Sequence, residues 1–142
     1  MAILNKYVIL NDLIGKPFVR GARGPNEFDC HGLVIEVFKR YGIDFPDVNI
    51  AQMAVEEVTK LLDEKIDYHI NVLKDWKRII EPDPPCLVVI KGDFKFANHL
   101  GVCIGDGKFI HSKEGSGVCV ERMASPIRRN NLRGFYKYVG SN

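Results

Sequence analysis

The stretch Phe28-Asp29-Cys30-His31-Gly32-Leu33-Val34-Ile35-Glu36-Val37-Phe38-Lys39-Arg40-Tyr41-Gly42 decides how the chain is built. Leu33, Val34, Val37, Phe38 and Tyr41 recur at helical spacing and form one apolar stripe. Asp29 is a good N-cap, Lys39 and Arg40 suit the negative end of the helix dipole, and Gly42 supplies a left-handed stop. Cys30 therefore falls in the first turn, where backbone N–H groups without helical partners and the positive dipole end stabilise a thiolate. Such positions lower cysteine pKa values into a range of roughly 3.5–7.5. The same amides suit an oxyanion forming beside the sulfur. On its own this pattern leaves two readings open, a nucleophile or a small buried residue at a helix start.

Outward from this helix the pattern changes along the chain. Residues 2–15 are apolar-periodic and end at Gly15, which predicts a short helix, and a turn-rich loop with Gly21, Gly24 and Pro25 follows. A second amphipathic stretch runs from about 50 to 62, while 66–80 fits neither period. Pro82, Pro84 and Pro85 require an extended or turning segment. Beyond them lie short runs of β type at 86–91, 98–104, 108–112, 117–122 and 134–139, each bounded by Gly, Asn, Asp or Ser. Helices followed by consecutive strands predict an α+β fold, with N-terminal helices packed on a small antiparallel sheet.

The 142 residues, 46% hydrophobic and 27% charged, suit one core and one domain over 1–142. A formal charge of +2 calls for neither nucleic acid nor an anionic membrane as partner. No apolar run approaches the ~20 residues of a membrane helix. Met1 to Lys6 shows no charged-then-apolar export pattern, which predicts cytoplasmic synthesis. Cys30, Cys86, Cys103 and Cys119 are widely and irregularly spaced, so free thiols are expected. No Cys-x-x-Cys pair is present, and neither a metal nor a cofactor is expected, although Cys30, His99 and His111 remain an alternative metal set.

His99 and His111 lie in adjacent predicted strands joined by Gly105-Asp106-Gly107. A three-residue loop pairs Ile104 with Lys108, Cys103 with Phe109 and Gly101 with His111, and places His99, Gly101, Cys103, Phe109 and His111 on one sheet face. A two-residue loop at Asp106-Gly107 puts the histidines on opposite faces. The flanking glycines favour the first register, with Gly101 leaving room for two imidazoles to meet. A thiolate, a base and a residue that orients the base are the parts nucleophilic catalysis needs. A pair of structural histidines is the competing explanation.

Pro17-Phe18-Val19-Arg20-Gly21, Phe28-Asp29-Cys30-His31-Gly32-Leu33-Val34, Asn98-His99-Leu100-Gly101-Val102 and Gly107-Lys108-Phe109-Ile110-His111 together resemble the NlpC family of papain-like cysteine peptidases, in order from about Leu13 to Val120. The resemblance implies Cys30 as nucleophile, His99 as base and His111 as orienting residue, acting without cofactor on amide bonds of bacterial cell-wall stem peptides, often between D-glutamate and a diamino acid. It also places Phe18 and His31 beside the substrate. The family usually has Tyr at the position of Phe18, a small serine at His31 and a glycine at Ala22. His31 and the Gly134-Phe135-Tyr136-Lys137 ending are similar to versions among phage tail-assembly proteins.

Peptidoglycan stem peptide is thus the expected partner, with a phage tail or wall-associated protein as a further one. Virion delivery or release on lysis would bring the chain to its substrate. Two rivals carry other functions: an acyl-transferring use of the same triad, and an assembly module that keeps the fold with little or no hydrolase activity. On the residues alone, His31 reads as a surface residue of the helix's first turn. Arg122, Arg128, Arg129, Arg133 and Lys137 read as a solvated basic face, with an anionic glycan as the sharper alternative.

Overall fold

A computed structural model describes residues 8–47, 75–91, 98–124 and 131–140. Helix α1 spans Cys30–Arg40, and six strands follow: β1 Trp76–Ile79, β2 Cys86–Lys91, β3 Asn98–Gly105, β4 Lys108–Lys113, β5 Gly117–Arg122 and β6 Leu132–Tyr138. They form one antiparallel sheet in the order β1-β6-β2-β3-β4-β5. The architecture is α+β as expected. Among the described residues, however, α1 is the only α-helix. The amphipathic stretch at 50–62 lies outside the described residues.

Of the helix expected over 2–15, the described part holds a 3₁₀ turn at Asn11–Leu13. Its continuation is taken up by the sheet. Gly15 donates its N–H to the Val118 carbonyl (2.9 Å), and Val118 returns one to the Lys16 carbonyl (2.9 Å). The backbone is thus committed to β5 where a longer helix would need its own bonds.

Helix α1 ends as its sequence specifies. Asp29 Oδ1 accepts from the Gly32 N–H at 2.7 Å, while Gly21 N–H and Arg23 hold the same carboxylate from outside. At the other end Gly42, with φ +83°, donates to Lys39 O and Ile43 donates to Phe38 O, the paired bonds of a Schellman stop. Leu33, Val34, Val37 and Phe38 are fully buried between these ends.

The sheet buries both faces. Leu87, Val89, Leu100, Val102, Ile110 and Val118 pack with the α1 stripe and with Trp76, Phe45 and Leu13. Cys86, Val88, Ile90, Cys103, Phe109 and Phe135 form a second cluster of the opposite strand parity. Trp76 is core, packed edge-on against Phe38 and Phe45. Among the described residues no helix is long and apolar enough to cross a membrane.

The β3–β4 connection corrects the predicted loop and keeps its consequence. Gly105 pairs with Lys108, so Asp106 and Gly107 make a two-residue turn, both at positive φ (+56° and +68°). Between Gly105 and Cys103 the register shifts, and the next pair is Cys103 with Phe109. Ile104 is the extra residue of a bulge, which restores the parity that a two-residue turn alone would reverse. His99 and His111 therefore share a face.

Candidate active site

The loop before α1 is tied down on both sides of Cys30. Ser112, wholly buried on β4, donates its hydroxyl to the Phe28 carbonyl at 2.8 Å and anchors the chain two residues before the cysteine. On the other side, a Cβ at Gly32 would run into the Ala22 carbonyl. That carbonyl accepts the Asp29 N–H at 3.0 Å, so the first turn of α1 lies flat against the preceding loop. Only glycine fits there, which gives the Asp-Cys-x-Gly spacing a steric cause.

Cys30 is 4% exposed. Its sulfur is met by the N–H groups of Leu100, His31 and Cys30 itself. The Leu100 amide is the peptide joining His99 to Leu100, so the helix N-terminus meets β3 beside His99. Burial nevertheless outweighs these donors, and with the Asp29 charge nearby it pushes the thiol up to about 11. The lowered pKa expected from a helix N-terminus is thus overturned for the resting site. The sequence shows the dipole, and the cost of desolvation comes from packing.

The histidines meet as the shared face requires. His99 Nε2 and His111 Nδ1 are 2.6 Å apart, with the rings edge to face at 4.8 Å between centroids. Gly101 makes this contact feasible, because a Cβ there would fall 2.8 Å from the Phe109 ring and 3.3 Å from His111 Cβ. The His111 ring packs on Phe109 at 4.6 Å and is wholly buried.

His111 Nε2 lies 3.1 Å from Glu121 Oε1. A carboxylate can only accept, so Nε2 carries the hydrogen and Nδ1 presents its lone pair to His99. His99 Nε2–H then donates, which leaves the lone pair of His99 on Nδ1. Glu121 thereby sets the tautomers of both rings. Cys119 Sγ lies 3.5 Å from the same His111 nitrogen, and Lys113 Nζ is 3.4 Å from Glu121 Oε1.

Neither Glu121 nor Cys119 stood out in the sequence. The signal was nonetheless countable, since Lys113 pairs with Gly117 across Glu114-Gly115-Ser116, which sets His111 opposite Cys119 and Phe109 opposite Glu121.

His31 departs from its expected surface position. It is 1% exposed, with Nε2 donating to the Pro46 carbonyl at 3.0 Å and the ring 5.5 Å from Phe45. The chain leaving the Gly42 stop folds back over this side of α1 and covers it. Burial lowers the His31 pKa, so the neutral ring is favoured there. Phe18 is half-buried on the loop between Lys16 and Phe28. All four cysteines are free thiols.

A sequence profile described as the NlpC/P60 family matches residues 15–137. The chain is 27% identical over 137 residues to the "Probable endopeptidase YafL" of Escherichia coli strain K12, an alignment covering 88% of this chain and 45% of that one. The chain thus spans less than half of that relative's length. Among solved structures, an NlpC/P60 family protein from Bacillus cereus ATCC 10987 superposes with a TM-score of 0.61 at 20% identity, covering 92% of this chain and 38% of that one. The NlpC/p60 domain of peptidoglycan hydrolase SagA gives 0.56 at 18% identity, covering 89% and 91%. These two likenesses concern the fold.

Proposed function

From a chain that belongs to the NlpC/P60 family, we propose a cysteine peptidase that hydrolyses an amide bond in peptidoglycan stem peptides through a thioester acyl-enzyme. The observation that carries this reading is the directed chain from Glu121 through His111 to His99, set beside a cysteine on a helix N-terminus. A structural pair of histidines needs no such polarity. A base does, because its lone pair must face the proton it removes.

In this mechanism His99 Nδ1 takes the Cys30 proton, and the resulting imidazolium stabilises the thiolate that burial otherwise disfavours. The sulfur attacks the substrate carbonyl. The oxyanion is held by backbone N–H groups at the start of α1, the same kind of donor that the resting sulfur engages. His99 returns its proton to the leaving amine, which departs and leaves the thioester. A water molecule, deprotonated by His99, then attacks the thioester carbonyl, and Cys30 is released as the acid product leaves. Glu121 and His111 hold the His99 tautomer throughout and offset the charge that develops on its ring. Phe18 and His31 are the proposed substrate-side residues. For His31 this role runs through the backbone of the first turn, since its ring is covered.

The test is release of stem-peptide fragments from purified peptidoglycan, followed by mass spectrometry. Cys30→Ala is expected to lower the rate by about 10³-fold or more, to background, because loss of the nucleophile disables the whole catalytic unit. Fragment release that persists in Cys30→Ala would overturn the mechanism. A folded wild-type chain that binds wall or phage tail components without cutting would instead favour the assembly module.

A further inference from the structure

Cys119, Glu121 and His111 place a thiol sulfur, a carboxylate oxygen and an imidazole nitrogen within 4.8 Å of one another. Two of the separations are short: 3.1 Å from His111 Nε2 to Glu121 Oε1 and 3.5 Å from His111 Nε2 to Cys119 Sγ. Ligand bonds of ~2.0–2.3 Å put the donor atoms of a tetrahedral zinc site roughly 3.2–3.8 Å apart, so the nitrogen–sulfur edge already has that length and the nitrogen–oxygen edge is about 0.1 Å short of it. The His111 ring is fixed by burial, whereas Cys119 and Glu121 are half-exposed and can adjust. Their exposure also gives an ion a way in and leaves a fourth position for water. Lys113, 3.4 Å from Glu121 Oε1, pairs with the carboxylate and must swing out for an ion to bind, which its own exposure allows. Nitrogen, sulfur and oxygen together select a thiophilic divalent ion over calcium or magnesium.

We propose that His111, Cys119 and Glu121 form a binding site for zinc or a similar thiophilic divalent ion, and that its occupancy switches off the base. The switch rests on the catalytic reading above. Metal at His111 Nε2 requires a lone pair on that atom, so the ring's single hydrogen must sit on Nδ1. Nδ1–H then donates to His99 Nε2, and His99 holds its own hydrogen on Nδ1, the atom needed to accept the thiol proton. Each imidazole keeps one proton, and the Cys119 thiol releases one to solvent. One ion therefore reverses the whole relay from the end opposite Cys30.

The reduced, full chain is titrated anaerobically with Co²⁺ and then with Zn²⁺, with folding of every variant checked by circular dichroism. One equivalent of Co²⁺ is expected to give a sulfur-to-cobalt charge-transfer band that Zn²⁺ displaces. The band is expected to survive in Cys30→Ala and vanish in a folded Cys119→Ala. No band at one equivalent, or a band that survives Cys119→Ala or is lost in Cys30→Ala, would overturn the site. This titration needs no hydrolase activity, so it stands or falls apart from the proposed reaction.

The switch is read by alkylation of Cys30 with iodoacetamide at neutral pH. Stoichiometric Zn²⁺ is expected to slow it at least tenfold in the wild type and to leave the rate in Cys119→Ala within twofold. Equal wild-type rates with and without Zn²⁺ would overturn the switch. A Cys30 rate that is the same in His99→Ala as in the wild type without Zn²⁺ would overturn the catalytic reading, and the switch with it, while the binding site would stand.

Discussion

On the face that α1 covers, β3 and β4 contribute Leu100, Val102 and Ile110, all wholly buried in one apolar cluster. On the other face the same two strands contribute Cys103 and Phe109 to a second cluster, and then His99 and His111. The first face is held mainly by apolar burial, with the Ser112 hydroxyl on the Phe28 carbonyl as a buried hydrogen bond. The second changes along its length from apolar packing to a polar relay, and its buried imidazole is tolerable because each ring nitrogen has a partner. One side of the sheet thus mainly sets stability and the other carries the groups of the proposed relay, and consecutive residues on one strand fall on different sides of that divide.

The strongest way to break this contrast is to truncate those neighbours separately. His99→Ala is expected to lower fragment release by about 10³-fold, the scale for loss of a catalytic-unit member, with a small change in thermal midpoint. Leu100→Ala removes a wholly buried side chain and is expected to cost about 2–5 kcal/mol in urea unfolding. Its folded fraction should retain most of the activity. If both changes cost the same stability, or Leu100→Ala abolishes activity in folded protein, the division fails.

Cys30 opens the helix that covers the first face, and its burial gives a pH test. Folding raises its pKa from 9.0 to about 11. Below pH 9 the thiol is protonated in both states and contributes nothing to the pH dependence. Between 9 and 11 the unfolded chain releases the proton while the folded chain keeps it, so stability falls as pH rises. At 1.36 kcal/mol per unit the loss reaches about 2–3 kcal/mol by pH 11. Urea midpoints across this window should fall more steeply for wild type than for Cys30→Ala. Parallel curves would mean that the folded thiol is not desolvated.

Much of this was legible in the sequence, for physical reasons that also mark the limits. Helix α1 was readable to both caps because its stripe, N-cap and stop are local. The strands β2 to β6 were readable within two residues because each is bounded by turn formers. Strand β1, Trp-Lys-Arg-Ile, was not. It has two exposed residues between a buried Trp76 and a half-buried Ile79, no alternation, and gains its place by pairing with β6. The histidine pair was found by parity, although through a bulge and a two-residue turn instead of the loop foreseen. Glu121 required carrying that parity through a second hairpin. The burial of Cys30 and His31 depends on what the chain lays over the helix start, which no local pattern encodes.

Glu121 sharpens the contrast from the polar side. Glu121→Gln keeps a side chain of the same size and removes the property that fixes the tautomers, since an amide can donate as well as accept. A roughly tenfold fall in kcat is expected, in line with changes to groups that orient an active ligand, with KM little altered. The pH–rate profile should shift with it. A loss confined to KM would place Glu121 against the substrate and remove it from the relay.

The smallest expected effect concerns the apolar side's own polar anchor, the Asp29 cap. Its carboxylate takes the Gly32 and Gly21 N–H groups and a bifurcated contact from Arg23 Nη1 at 2.8 and 2.9 Å. Arg23 also reaches Asp47, so one exposed guanidinium ties the helix start to the segment that covers His31. Asp29→Asn retains an oxygen for the Gly32 N–H and is a comparable cap, leaving only the charged contact to lose. Because Arg23 is about one-third exposed, that contact is worth about 0.5–1 kcal/mol after screening. The same substitution removes a negative charge that opposes ionisation of Cys30. Asp29→Asn should therefore lose a little stability while alkylation of Cys30 becomes modestly faster. If alkylation slows instead, the carboxylate is holding the first turn in a shape the thiolate needs, and geometry outweighs charge at the helix start.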